Sequence, residues 1–191
     1  MLILLDVSEF QSVGQLDRLL KSADDEIVGV YIKGTQGESY RDSMATAFAQ
    51  CAEKHNTPFG YYDFLMNDQA NVQAEYFKGF ESRVPASKLK PMLDCEGDYN
   101  KYSAGVQHWD AAYGSTSLVY AQLSNMTQYS GINNPKWVAQ YDQNNYYRPS
   151  DGEIQAYKSQ GYVLWQFTSN YQGLGQDASV LLADSLEAIK R

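Results

Sequence analysis

The chain has 191 residues, a formal net charge of -8, 43% hydrophobic and 20% charged residues, which describes one globular domain able to bury a core and not a disordered chain. With 15 Lys and Arg against 23 Asp and Glu and no basic cluster, nucleic acid is not an expected partner. Aromatic residues reach 14%, with 16 tyrosines, which fits either half-buried strands or a groove lined with rings that stack on an uncharged sugar polymer.

Residues 2–7 open the chain as an apolar run closed by Asp6. The run is too short and lacks the basic leader of a signal peptide, so it reads as a first strand, and the sequence shows no export route of its own. No run approaches the ~20 apolar residues that span a bilayer. Further apolar runs cover residues 27–33, 59–64, 89–93, 118–121, 137–141 and 162–167. Continuous runs of this length suit strands buried on both faces of a parallel sheet. Between the early runs, residues 13–23, 41–55 and 70–84 carry apolar side chains at helical spacing, and residues 179–189 suggest a last helix. In the second half the helical patterns weaken and the gaps shorten. The expectation is an α/β fold with right-handed crossovers: an irregular TIM-like (β/α) barrel of about eight strands with incomplete helices in the second half, forming a single catalytic domain over residues 1–191. Pro149-Ser150-Asp151-Gly152 reads as a turn, not a domain boundary.

Cys51 and Cys95 fall in an expected helix and an expected buried strand, so both are free buried thiols. His55 and His108 fall in separate helices without an obvious ligand set, so zinc is not expected, and His55 near a helix C-terminus reads as solvated. No serine hydrolase elbow, phosphate loop or dinucleotide fingerprint occurs.

The acids carry more information. On such barrels, catalytic groups lie at the C-terminal ends of strands. Asp6, Asp63, Asp94 and Glu96 close runs in this way, and Asp177 follows a glycine-rich turn. Asp94 and Glu96 stand two apart, hence on the same face of a strand, with Cys95 turned away. Two neighbouring carboxylates in a partly dry site do not both ionise readily, and one holds its proton toward neutrality. Glu96, one methylene longer, reaches a leaving oxygen as general acid; Asp94 stays behind as the ionised stabiliser, a division that suits glycoside cleavage. The roughly 6.6 Å repeat of two strand residues does not decide between retention and inversion. Tyr62, Tyr120, Tyr141 and Trp165 stand near strand ends, to stack on sugar rings or to pack the barrel. Lys33 lies near the acids, to pair with them or face solvent.

At this point the chain resembles the family 25 glycoside hydrolases, the Chalaropsis-type lysozymes common among phage endolysins and bacterial autolysins. The resemblance rests on seven segments in order: Leu5-Asp6-Val7-Ser8-Glu9-Phe10-Gln11, Tyr31-Ile32-Lys33-Gly34-Thr35-Gln36-Gly37, Phe59-Gly60-Tyr61-Tyr62-Asp63-Phe64, Pro91-Met92-Leu93-Asp94-Cys95-Glu96, Val119-Tyr120, Trp137-Val138-Ala139-Gln140-Tyr141 and Leu164-Trp165-Gln166-Phe167. It implies a muramidase that hydrolyses the β-1,4 bond between N-acetylmuramic acid and N-acetylglucosamine in bacterial cell-wall peptidoglycan. The implied catalytic residues are Glu96, Asp94, Asp6 and Asp177, with Lys33, Tyr62, Asp63, Tyr120, Gln140, Tyr141 and Trp165 as substrate contacts. No metal or organic cofactor is implied, the expected state is a monomer, and release from a host cytoplasm at lysis is a compatible setting. The chain departs from the family where Gln36, Asp63 and Phe10 stand in place of the common Glu, His and Trp, and around Asp177. The alternatives are a catalytically silent cell-wall sugar-binding barrel, which would be expected to have lost the acid, and another endo-hexosaminidase such as a chitinase.

Overall fold

The computed structural model describes residues 1–22, 26–66, 69–96, 103–141 and 147–191. In chain order the strands are β1 (Leu2–Val7), β2 (Glu26–Gln36), β3 (Tyr40–Arg41), β4 (Phe59–Phe64), β5 (Met92–Asp94), β6 (Leu118–Gln122), β7 (Lys136–Ala139), β8 (Leu164–Thr168) and β9 (Asp177–Leu181). The helices are α1 (Val13–Leu20), α2 (Ala45–Lys54), α3 (Ala70–Glu81), α4 (Ser103–Tyr113) and α5 (Asp151–Ser159). The sheet runs β1-β9-β8-β7-β6-β5-β4-β2-β3, and a further β1–β2 pairing closes it into an eight-strand barrel with β3 appended to β2. The irregular TIM-like barrel expected from the sequence is thus the fold.

The closure differs from an all-parallel ring. β9 pairs antiparallel with both β1 and β8. The tight connection after β8 explains this: the backbone takes positive φ at Gln172, Gly173 and Gly175, a left-handed path that glycine follows at little cost. A reversal this short leaves no room for a crossover helix, so the next strand returns antiparallel. Residues 179–189, expected as a helix, are the end of β9 followed by the short 3-10 turn Leu186–Ile189. The helical spacing of Val180, Leu181 and Leu186 arose from apolar residues that belong to two elements. Conversely, α5 begins where only a turn was expected. Ser150 and Glu153 form a reciprocal capping box there. No residue of α5 is fully buried, so it carries no apolar stripe to announce it. The 3-10 stretch Leu123–Tyr129 replaces a helix between β6 and β7, in line with the expected thinning of helices.

Strand alternation sorts the side chains into two layers. Leu4, Tyr31, Met92, Leu118, Trp137, Leu164 and Leu181 fill the barrel interior. Ile3, Leu5, Val30, Leu93, Val119, Val138 and Val180 face outward under the helices. Inside, Trp137 forms a floor: Tyr31 and Tyr120 meet it edge-on at 5.1 and 5.5 Å. Its indole N–H donates to Ser179 Oγ at 2.9 Å, which satisfies both groups deep in the barrel. Gly34 lies at a register shift in the β2–β4 pairing. A Cβ there would come within 2.6 Å of the Phe80 ring, so glycine is what lets α3 seat against the strand. Cys51 and Cys95 are free and buried, as expected. Among the described residues no helix is long and apolar enough to cross a membrane.

Candidate active site

At the C-terminal rim, the inward position of successive strands changes from apolar to polar. Asp6 follows Leu4 on β1, Asp94 follows Met92 on β5, Tyr120 follows Leu118 on β6, and Gln166 follows Leu164 on β8. β9 runs the other way, so its first residue, Asp177, reaches the same rim and pairs with Asp6 across the ladder. Together with Glu96 and Tyr62, these residues line a cleft of about 130 Å³. A neighbouring hollow of about 180 Å³ shares Glu96 and Tyr141 and is bounded by Gln122, Ala139 and Gln140. The two form one groove over the barrel mouth, and Glu96 stands where they meet.

Four carboxyls share this groove, and all four hold their protons more tightly than ordinary carboxylates. Burial is the largest cause for each. Asp6 and Asp94 are pushed well up, Asp6 further by the charge of Asp177 and Asp94 further by that of Glu96. Glu96 is raised, and Asp177 is pushed up to about 6, with Glu96 its second cause. Lys33 is the nearby positive charge that partly offsets the rise at Asp94 and Glu96. Its ammonium hydrogen-bonds Gln36 Oε1 at 2.8 Å and lies 5.1 Å from the Phe64 ring centroid, so it is not locked to one acid.

The partners of the acids are unequal. Asp94 is 8% exposed, and its Oδ1 is buried with no hydrogen-bond partner among the described residues. Glu96 is half-buried, with the Tyr120 hydroxyl 3.3 Å from Oε1. The same hydroxyl donates to Gln166 Oε1 at 2.6 Å. The Gln166 amide nitrogen lies 3.4 and 3.2 Å from the two oxygens of Asp6. Gln176 donates to the Asp6 backbone carbonyl at 2.6 Å and so ties the start of β9 to β1. Gln166 was not among the residues the sequence singled out. Its neighbour Trp165 was, and strand alternation puts only one of the two inside.

Trp165 and Asp63 are the two expected contacts that the structure places elsewhere. Trp165 faces outward, stacked on Tyr157 of α5 at 4.2 Å, with its indole N–H donating to the Gln140 carbonyl at 2.9 Å. Asp63 also lies on the outer side of β4. It accepts from Thr35 Oγ1 at 2.7 Å and from the indole N–H of Trp109 in α4 at 3.0 Å. Tyr62, one residue earlier, takes the inward place. Both corrections have one cause: these strands are buried on both faces, so polarity does not mark which residues point in.

The histidines also depart from expectation in one respect. His108 is exposed on α4. His55 is not solvated: its Nε2 lies 2.9 Å from Asp17 Oδ1, and Cys51 one turn earlier on α2 completes a group of possible metal ligands. Lys21 and Lys54 bind the same Asp17 carboxylate at 2.6 and 2.8 Å and hold it well below the usual range. The cluster therefore already has its positive charge, and it reads as an ion-pair network joining α1 to α2.

Comparison with known proteins agrees with this geometry. Residues 5–176 match the family described as Glycosyl hydrolases family 25. Among solved structures, the muramidase from Acremonium alcalophilum is 20% identical, with a TM-score of 0.70 and coverage of 98% of this chain and 97% of that one. The catalytic domain of endolysin ply40, from bacteriophage P40 of Listeria monocytogenes, is 21% identical, with a TM-score of 0.68 and coverage of 98% and 96%. A family 25 glycosyl hydrolase from Bacillus anthracis is 20% identical, with a TM-score of 0.68 and coverage of 98% and 91%. A search of curated proteins found no match. The family match spans nearly the whole barrel, from the strand that carries Asp6 to the residue before Asp177, and on it the chain belongs to family 25 of the glycosyl hydrolases.

Proposed function

We propose that the protein is a muramidase that cleaves the β-1,4 bond between N-acetylmuramic acid and N-acetylglucosamine in bacterial peptidoglycan. The observation that carries this reading is the pairing of Glu96, half-buried and open to the groove, with Asp94, buried beneath it with one oxygen free. Glu96 holds a proton toward neutrality because burial disfavours its charge, so it can protonate the departing glycosidic oxygen. Asp94 lines the same cleft, where its carboxylate would accept the N–H of a 2-acetamido group. Such a bond turns the acetamido oxygen toward the anomeric carbon, as substrate-assisted cleavage requires, and it lowers the cost of the positive charge that develops there. Asp6 and Asp177 form the acidic floor, and Tyr62, Tyr120, Tyr141, Gln140 and Lys33 border the sugar path.

The reading extends to residues 1–191 acting as one catalytic domain, as a monomer without a cofactor, on the cell wall. The test is digestion of purified cell walls. Loss of turbidity, with muramic acid at the new reducing ends by mass spectrometry and both abolished in Glu96→Gln, is the expected result. Walls that are bound but not cleared would end the enzyme reading, and N-acetylglucosamine at the reducing ends would end the muramidase reading. An α-anomer as first product would exclude the acetamido route.

A further inference from the structure

The two hollows give the groove a direction. Glu96 stands where they meet, and Asp94 lines only the one it shares with Asp6, Tyr62 and Gln166. The sugar whose acetamido group meets Asp94 therefore occupies that cleft. The departing sugar lies on the other side of Glu96, against Gln122, Ser124 and Gln140. In the closed order of strands, β1 lies four places from β6, and β2 four places from β7. A glycan that enters over β6 and β7 and crosses the cleft leaves the mouth over β1 and β2. Its non-reducing side is the part that lies there.

On that rim stands Phe10, in the turn that follows β1. Its side chain is 84% exposed, and among the described residues the other exposed large apolar side chain is Val72, at 39%. The turn itself is fixed. The buried Asp42 carboxylate, just after β3, accepts the N–H of Glu9 and that of Met44, both at 2.8 Å. Gln11 closes the turn on the other side: its N–H donates to the Ser8 carbonyl at 2.9 Å, and its Oε1 accepts the Ser8 N–H at 2.9 Å. These bonds pin the backbone around Phe10 and leave its ring in water. A ring on a pinned turn loses only the freedom of two χ angles when something covers it. Covering it removes apolar surface from water, and the flat C–H face of a sugar ring suits that contact.

We propose that Phe10 is a further substrate-binding residue, whose ring stacks on an N-acetylglucosamine of the glycan on the non-reducing side of the muramic acid held by Asp94. The inference deepens the muramidase reading and rests on it, because that reading sets the direction of the glycan. It extends the site past the residues that line the two hollows. In the alternating polymer, N-acetylglucosamine follows muramic acid on that side, and it carries no lactyl group or peptide to hold its ring away from a flat partner.

The test compares two series of peptidoglycan glycan fragments, one lengthened on the non-reducing side of the cleaved bond and one on the reducing side. In Phe10→Ala, KM should rise about tenfold for the first series and stay in place for the second, with kcat within about twofold in both. Phe10→Tyr, which keeps a flat ring, should keep the wild-type KM. The melting temperature of Phe10→Ala should not fall, because an exposed ring supports no packing. A KM unchanged in the first series would overturn the proposal, and so would a loss shared by both series together with a lower melting temperature, the mark of a merely structural role. Either result leaves the muramidase reading standing. Titration calorimetry of the Glu96→Gln protein with the same fragments reads binding without cleavage. If that protein and the wild type bind neither series and the wild type cleaves neither, the muramidase reading falls and this proposal with it.

Discussion

Asp63 and Asp94 are both buried acids near the ends of adjacent strands, and they differ in which way they face. Asp63 points out of the barrel, and each of its oxygens accepts one hydrogen bond, from Thr35 and from Trp109. Burial pushes it up to about 7, but its surroundings satisfy it, and it joins β2, β4 and α4. Asp94 points in, keeps an oxygen without a partner and meets the charge of Glu96. The barrel thus uses one residue type in two ways. Asp63 is completed by the protein, whereas Asp94 keeps an oxygen incomplete at the cleft. Strain or charge that persists uncompensated at a site is a mark of function more than of architecture.

The contrast predicts that inward substitutions cost activity while outward ones change stability. The largest effect is expected at Glu96. Glu96→Gln should lower kcat by about 10²–10⁴-fold, the range of a positioned general acid, with an unchanged melting temperature. Steady-state kinetics and a thermal melt check both halves. Asp94→Asn comes next, with a fall in kcat on the order of 10²-fold. It should also raise the melting temperature, because a buried group that resists ionisation and keeps one oxygen without a partner is removed. A variant that is both slower and less stable would erase the distinction.

Asp63→Asn probes the outer acid. Its folded pKa of about 7 lies above the ordinary 3.8, so the native state binds the proton more tightly than the unfolded chain does. Its contribution to stability is therefore full at low pH and is lost as pH rises from about 4 through 7, on the order of a few kcal/mol. An asparagine can accept from Trp109 and donate to Thr35, so the variant should flatten this slope in urea melts at pH 5 and 8. The Glu96 limb of the rate profile should stay in place. The smallest effect is expected at Trp165→Phe, which loses the hydrogen bond to Gln140 and part of the stack on Tyr157. A cost of about 1–2 kcal/mol in stability with KM unchanged would keep Trp165 outside the groove; a raised KM would return it there.

What the sequence disclosed follows the same division. The strand runs, the early helices and the Asp94/Glu96 pair were legible because period and spacing encode them directly. The facing of β4 and β8 was not, since Tyr61-Tyr62-Asp63 and Trp165-Gln166-Phe167 offer apolar and polar residues on both faces. Gln166 was hidden for that reason, although it stands two residues after Leu164, which fills the interior. β9 was hidden by the two glycines before it, whose effect on chain direction depends on φ values that composition does not state. α5 needed its cap rather than its stripe to be recognised.

The antiparallel last strand has one further consequence, which concerns folding. Asp6 and Asp177 face each other on the seam between the first and last strands. The Gln176 bond that holds this seam spans 170 residues of sequence. Contacts of such long range carry the greatest loop-closure cost and tend to form late. During synthesis, β1 waits for some 170 further residues before its second neighbour exists. Until β9 is in place Asp177 cannot join Asp6 at the rim, so the four-carboxyl groove is completed only by closure of the barrel.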